Sequence, residues 1–230
     1  MKSLLIVTLV LGSSFIWADA VIFEKNCIKP DESYTFDEDR FIGKWYEIRR
    51  FYDANQADQE DCVQEVYTRS KNMIDLDIVR SVQIGQSGLP QYSSGIASPK
   101  VFGNSRVPQF YLRYNTTSPA DPDIKIDVVD TDYRNYAILY SCNAVNESMV
   151  SETAMVLSRN PLVTKSVAEA INKYISRYFT HPEHKWRVTE QSSAFCKPTL
   201  MVQSKAVSVF ESGLVLFYII VGVICTKMFS

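Results

Sequence analysis

The sequence predicts an all-β fold, an eight-stranded antiparallel up-and-down barrel with one C-terminal α-helix packed outside it. Eight short segments rich in Val, Ile, Tyr and Phe follow one another between stretches of turn composition. One long amphipathic helical pattern comes after the last of these segments. Eight consecutive strands fit an antiparallel sandwich or a barrel, and an eight-stranded closed barrel is just wide enough to hold one small ligand.

The predicted strands are separated by loops such as "GQSGLP" and "TTSPADPD", whose Gly, Pro, Ser and Asp residues favour turns. The helical pattern covers residues 160–179, with a proline at its start and apolar residues three and four positions apart. The strands are predicted at Lys44–Phe51, Cys62–Arg69, Met73–Val82, Gln91–Ala97, Gln109–Tyr114, Asp123–Val129, Tyr136–Cys142 and Glu152–Ser158.

The N-terminal segment has the pattern of a secretory signal peptide. Met1 and Lys2 precede the apolar run "LLIVTLVLG", and Ala18 and Ala20 are small residues at the two positions that a signal peptidase reads. We therefore expect residues 1–20 to be removed and residues 21–204, a single domain, to form the barrel.

The C-terminal segment has the pattern of a signal for a glycosylphosphatidylinositol anchor. Its apolar run, residues 213–225, is shorter than the roughly 20 residues that a transmembrane helix needs. The triplet "SKA" supplies small residues upstream of a short spacer, which predicts attachment at Ser204 and removal of residues 205–230. A retained single span and a plain apolar terminus are the alternatives. With the anchor, the protein is expected on the extracellular face of the plasma membrane.

Cysteine usage agrees with a secreted protein. Of five cysteines, Cys225 lies in the segment that anchoring removes, which leaves four for two disulfides in an oxidising compartment. Four cysteines can pair in three ways. Two sequons, at Asn115 and Asn146, are predicted to be glycosylated in surface loops.

Several function classes are not supported by the sequence. The net charge of −2 and the lack of a Lys/Arg cluster argue against a nucleic-acid partner. His181 and His184 are the only histidines, and no third metal ligand is evident beside them. The sequence contains no Gly-x-Ser-x-Gly motif and no phosphate-binding loop. We therefore predict no enzyme, no metal and no cofactor.

Three motifs in order resemble the signature motifs of the lipocalin family. They are Gly43-x-Trp45-Tyr46, the segment Thr131-Asp132-Tyr133, and Arg159 immediately before the helix. The resemblance covers residues 27–198, and the cysteine spacing is similar to that of the apolipoprotein D branch, which includes insect bilin-binding proteins. Within that branch the lipid-anchor signal points to the Lazarillo subgroup.

The resemblance implies structural roles for these motifs. Trp45 is expected to close the narrow end of the barrel, with the Arg159 guanidinium stacked over its ring and the Thr131-Asp132-Tyr133 segment forming a turn beside it. The resemblance also implies disulfides between Cys27 and Cys142 and between Cys62 and Cys196.

Strand alternation predicts residues that line a pocket. If Arg159 points inward, Thr153, Met155 and Leu157 point inward too, because side chains on one face repeat every second residue. If Arg113 faces solvent, Phe110, Leu112 and Tyr114 face inward. Only the resemblance places two further residues of the Tyr136–Cys142 strand on the inner face. An apolar lining of this kind suits a fatty acid, a retinoid, a sterol or a bilin-like tetrapyrrole. The predicted ligand-binding residues are Phe110, Leu112, Tyr114, Ala137, Leu139, Met155 and Leu157, with Thr153 also facing inward.

Two classes of function remain open. One is a cell-surface carrier or scavenger of a small hydrophobic ligand. The other is an adhesion or guidance molecule, as in neuronal development, whose outer surface and glycans bind an unknown cell-surface protein. Attachment to the membrane through a lipid anchor fits both.

Overall fold

A computed structural model describes residues 22–23, 27–28, 35–51, 60–103, 105–116, 118–120, 122–147, 149–180 and 185–199. The predicted signal peptide, the anchor segment with Ser204 and Cys225, and the two histidines lie outside the described residues.

The chain forms a closed antiparallel barrel. Strands β2 to β9 pair with their neighbours in sequence order, and β9 pairs back with β2, with Tyr46 opposite Ser158. The short strands β1 and β10, which the sequence did not predict, pair with the outer parts of β9 and β2. The elements are β1 (Ile22–Phe23), α1 (Glu38–Phe41), β2 (Gly43–Phe51), β3 (Glu60–Arg69), β4 (Leu76–Ile84), β5 (Gln91–Phe102), β6 (Ser105–Tyr114), β7 (Ile124–Thr131), β8 (Tyr136–Ala144), β9 (Val150–Ser158), α2 (Lys165–Tyr178) and β10 (Trp186–Val188).

Strand β4 begins three residues later than predicted. The side chain of Asn72 accepts hydrogen bonds from the backbone N–H groups of Ile74 and Asp75, and Met73 has a φ of 60°. A left-handed residue and an asparagine-centred turn are incompatible with extended pairing. The apolar pair Met73 and Ile74 therefore belongs to the β3–β4 turn.

Strands β5 and β6 are longer than predicted, because the segment "SPKVFGNSRVP" is mostly strand. Pro99 pairs opposite Phe110, and a register shift follows between Pro99 and Val101. Such a bulge accommodates a residue without an N–H donor in a sheet. The hairpin turns after Phe102, where Gly103 adopts a φ of +59° that suits glycine.

The apolar residues form two clusters, one inside the barrel and one outside. The inner cluster is built around Trp45, Phe41, Tyr67 and Phe110, all less than 2% exposed. The outer cluster lies between the barrel wall and α2, where Ile171 is 3% exposed and packs with residues that include Phe51 and Phe179. The helix therefore packs outside the barrel, as predicted.

Two disulfides join the terminal segments to the barrel wall. Cys27 is bonded to Cys142 of β8, and Cys62 of β3 is bonded to Cys196. These are the pairs that the sequence resemblance implies. The second bond holds the segment after β10 beside β3, where the Thr199 hydroxyl also donates to the Gln64 side chain.

Candidate functional site

The closed end of the barrel is sealed by an arginine stacked on a tryptophan. The Arg159 guanidinium carbon lies 3.6 Å from the centre of the fully buried Trp45 ring. Its N–H groups donate to the backbone carbonyls of Tyr133, Lys44, Arg40 and Phe41 at 2.8–3.1 Å. Desolvation lowers the pKa of Arg159 to about 10, although nearby Asp132 acts in the opposite direction. The guanidinium is therefore a structural seal with several partners.

The short helix α1 supplies the rest of this closed end, and the sequence did not predict it. Asp37 caps the helix by accepting a hydrogen bond from the Arg40 N–H. Phe41 then packs 5.2 Å from Trp45 between ring centres, and its carbonyl accepts from the Trp45 indole N–H. One helical turn thus places an aromatic ring and a hydrogen-bond acceptor against the tryptophan.

The Thr131-Asp132-Tyr133 segment forms the expected turn beside this seal. The Asp132 carboxylate accepts from the backbone N–H groups of Arg134, Asn135 and Tyr136 at 2.7–3.0 Å. Tyr133 has a φ of 63°, and its hydroxyl accepts from the Asp37 N–H. The turn therefore holds the segment before α1 in place.

Gly43 and Tyr46 have local roles in β2. Gly43 has a φ of 110°, which lets the chain enter β2 directly after α1. Tyr46 alternates with Trp45, is half-buried, and has the Lys44 ammonium 4.8 Å from its ring centre. It therefore lies on the face of β2 opposite to Trp45.

Above the seal, the barrel contains a cavity of about 440 Å³. Four of the seven residues predicted to bind a ligand line it, namely Leu112, Tyr114, Leu139 and Met155, together with Thr153. The other three, Phe110, Ala137 and Leu157, also face inward and belong to the inner cluster, as Leu112 and Leu139 do, but they do not line the cavity. Their strands carry them to the closed end, where side chains fill the barrel. This corrects the expectation that they line the pocket.

The cavity has two chemically different walls. The wall formed by β6 to β9 is mainly apolar, with hydroxyl and amide side chains towards the mouth, whereas the wall formed by β3 and β4 carries charged side chains. The first wall consists of Leu112, Tyr114, Ile124, Ile126, Leu139, Ser141, Asn143, Ser151, Thr153 and Met155, and the second of Glu60, Glu65, Tyr67 and Arg80.

The charged wall is an ordered network. Glu65 is 3% exposed, and one of its carboxylate oxygens accepts from the Tyr67 hydroxyl at 2.8 Å. Arg80 donates to the Glu60 carboxylate at 2.9 Å, and its Nε lies 3.9 Å from Glu65. Burial raises the pKa of Glu65, although Arg80 and the hydrogen bond from Tyr67 oppose that shift. The network adds charged side chains to the lining, which the sequence predicted to be apolar with a few hydroxyls.

The sequence did not predict the charged wall, because apolar and polar residues do not alternate clearly along β3. Residues 61–67 are all buried, and the register with β4 shifts between Asp61 and Gln64. A strand with two covered faces and a bulge does not show which side chains point inward. The one available signal was the spacing of Glu65 and Tyr67, since two residues that lie two positions apart on a strand share a face.

The two sequons lie at the open end of the barrel. Asn115 directly follows Tyr114 in the β6–β7 loop, and Asn146 lies in the β8–β9 loop. Both side chains are exposed, and the Asn115 amide donates to the Ser94 hydroxyl. Both predicted attachment sites are therefore accessible.

No group of three His, Cys, Asp or Glu residues within the described ranges is arranged to hold a metal ion. Among the helices that the structure describes, none has the length and apolar character needed to cross a bilayer.

Comparison with known proteins identifies the family. Residues 20–170 match the family model described as Triabin. Apolipoprotein D of Bos taurus is 26% identical over 144 residues, which cover 59% of this chain and 67% of that protein. Triafestin-2 of Triatoma infestans is 27% identical over 173 residues, which cover 70% of this chain and 80% of that protein. The chain thus spans about two thirds of the length of the bovine relative.

A solved structure shows the same fold. Insecticyanin from the tobacco hornworm Manduca sexta superimposes with a TM-score of 0.62 at 19% identity, covering 79% of this chain and 94% of that chain. The family match extends over more than half of the 230 residues and includes the barrel strands β2 to β9 and the first six residues of α2. The chain therefore belongs to the Triabin family, a lipocalin-type family of binding proteins rather than enzymes.

Proposed function

We propose that this protein is an extracellular carrier or scavenger that binds one small, largely hydrophobic ligand inside the barrel. The observation that carries this proposal is the 440 Å³ cavity, which is closed at one end by Trp45 and Arg159. Its volume lies within the range of sites for small molecules, about 300–1,000 Å³. Leu112, Leu139 and Met155 offer an apolar surface to the body of a ligand.

Filling the cavity tests the proposal. Leu139→Trp adds an indole to a side chain that is 2% exposed and lines the cavity, so bound ligand should be lost. Val79→Trp is the matched control, because Val79 lies on the outer face of β4 and is 38% exposed. We expect mass spectrometry of the purified protein to detect a copurifying small molecule with the wild type and the control, and not with Leu139→Trp. Empty wild-type protein that also binds no hydrophobic ligand in calorimetric titrations would contradict the proposal.

We propose further that the protein acts at the extracellular face of the plasma membrane through a lipid anchor at Ser204. The support is the signal-peptide pattern of residues 1–20 and the short apolar run of residues 213–225. The two disulfides agree with passage through an oxidising compartment.

An adhesion or guidance role is the second candidate function, and a feature of the outer surface favours it. Val79, Ile96 and Tyr111 lie on neighbouring strands β4, β5 and β6, and their side chains are 38%, 45% and 39% exposed. Exposed apolar side chains grouped on one face are typical of a surface for a protein partner.

A double substitution separates the two functions. Ile96→Ser with Tyr111→Ser should abolish adhesion of expressing cells if the outer face binds a partner, and should leave ligand binding unchanged. Loss of adhesion on cavity filling with Leu139→Trp would instead connect any adhesive role to the ligand.

A further inference from the structure

The cavity carries two carboxylates and one guanidinium. Glu60 and Glu65 both lie within hydrogen-bonding or ion-pairing distance of Arg80, at 2.9 Å and 3.9 Å. Tyr67 and Tyr114 are the other ionisable lining residues, and burial raises the pKa of both hydroxyls, so they are neutral at physiological pH. With both carboxylates ionised, the lining therefore has a formal charge of −1.

Two neighbouring ion pairs do not change this balance. In the first, Arg187 donates to the Glu60 backbone carbonyl and pairs with the Asp61 carboxylate at 2.9 Å, so this pair is neutral as a unit. Glu47 and Arg50 are 1% and 3% exposed and form an ion pair with each other at 2.5 Å. The Glu47 oxygen also accepts from the Thr189 hydroxyl. This pair is neutral as a unit, and it leaves the excess negative charge at the cavity wall.

The geometry points to a ligand with an apolar body and a cationic amino head group, which binds Glu65 of the charged wall. This inference rests on the proposed carrier function and specifies the class of ligand. The apolar wall, with Leu112, Leu139 and Met155, faces the ligand body, and the β3–β4 wall faces the head group.

Electrostatics favours an amine over an acid at this position. Arg80 already pairs with Glu60 and Glu65, so a ligand carboxylate would add a third negative charge beside a single guanidinium. A buried charge is costly unless it is paired with an opposite charge. An ammonium group would balance the second carboxylate and leave the existing Arg80 contacts in place.

The state of Glu65 before binding supports the same conclusion. Burial has already removed most of its contact with water, and this desolvation raises its pKa. Folding has already removed most of the water around this carboxylate, so ligand binding adds little further desolvation cost. An ammonium group of the ligand would favour the ionised form of Glu65. A preformed, buried acceptor of this kind gives selectivity for a cation.

Three ligands that differ only in their head group test the inference. Decylamine, decanol and decanoic acid would each be titrated by calorimetry into the full-length protein purified from a secretory host at pH 7. We expect decylamine to bind at least about tenfold more tightly than decanoic acid, with decanol between them.

The variant Glu65→Gln removes the charge and keeps the size of the side chain. We expect it to weaken decylamine binding by about tenfold or more and to change decanol binding by less than about twofold. Asp77→Asn makes the same charge change on β4, next to the buried residues Leu76 and Ile78 and therefore on the outer face, and it should leave all three affinities unchanged.

The outcomes distinguish the amine inference from the carrier function on which it rests. Equal affinities for the three ligands, or a preference for decanoic acid, would overturn the amine inference and leave the carrier function standing. Failure of all three to bind would contradict the carrier function itself. If Glu65→Gln does not fold, the comparison of head groups with the wild-type protein remains decisive.

Discussion

At the scale of single residues, Arg159 has more structural partners than its sequence motif indicates. It stacks on Trp45 and donates to four backbone carbonyls around the closed end. Arg159→Ala should lower the free energy of unfolding by roughly 3–5 kcal/mol, because the cation–π contact and several charged hydrogen bonds are lost together. Ligand affinity should be nearly kept, since Arg159 does not line the cavity.

Thermal denaturation and ligand titration of the same preparation check this prediction. Arg159→Lys is the matched variant, because it keeps the charge and loses the planar group that reaches several carbonyls. We expect it to be destabilised as well. Unchanged stability with abolished binding would place Arg159 in the binding site.

The single residue Glu65 should make the stability of the folded protein depend on pH. Burial raises its pKa, so the folded protein holds this proton at pH values where the unfolded chain releases it. The stability that this proton contributes is present at low pH and falls as the pH rises above the ordinary glutamate value of about 4.3. The Tm of the wild type minus that of Glu65→Gln should therefore decrease between pH 4 and pH 7.5. A difference that stays constant or grows would show that the pKa of Glu65 is not raised in the folded protein.

At the scale of elements, the turn between β7 and β8 depends on one carboxylate. Partial burial alone would raise the pKa of Asp132, but hydrogen bonds from Asn135, Tyr136 and Arg134 lower it. Since the folded pKa lies below the unfolded one, the stabilisation is present above about pH 3.9 and is lost as the pH falls through the folded value.

Substitution of Asp132 should show this directly. We expect Asp132→Ala to lower the free energy of unfolding by about 1–2 kcal/mol at pH 7, with allowance for solvent screening at a turn that is largely exposed. Asp132→Asn keeps one acceptor oxygen and should give an intermediate loss. Denaturant unfolding at pH 7 and pH 2.5 measures both, and a loss that is equal at the two pH values would contradict the role of the ionised carboxylate.

The elements also show which boundaries the sequence could predict. The eight barrel strands were predicted because short segments rich in Val, Ile, Tyr and Phe alternate with turn residues, and α2 because a 3.6-residue apolar pattern extends through it. The start of β4 and the lengths of β5 and β6 were not, since turn geometry at Asn72 and a bulge after Pro99 override the local composition. The one-turn helix α1 is too short to give a periodic signal.

At the scale of the whole molecule, the proposed lipid anchor would distinguish this chain from a soluble protein with the same barrel. The apolar run of residues 213–225 would extend only about 20 Å as a helix, compared with the roughly 30 Å hydrocarbon core of a bilayer. We expect phosphatidylinositol-specific phospholipase C to release the protein from expressing cells. A stop codon after Ser204 should give a secreted protein with unchanged ligand affinity.

An epitope placed behind Ser230 provides the control. It should be absent from the mature protein, because anchoring removes residues 205–230. Retention of the epitope on membranes after phospholipase treatment would show a transmembrane segment instead.

Composition and periodicity predicted the eight strands and the helix, because both signals are local in the chain. The barrel and its end closed by Trp45 and Arg159 were implied by the resemblance of three motifs to the lipocalin family. The character of the cavity depends on how the strands are arranged in the folded barrel. The tertiary structure placed Phe110, Ala137 and Leu157 in the packed core and brought Glu60, Glu65 and Arg80 onto one wall. The physical reason is that height along a tilted, bulged strand decides whether an inward side chain meets other side chains or open space.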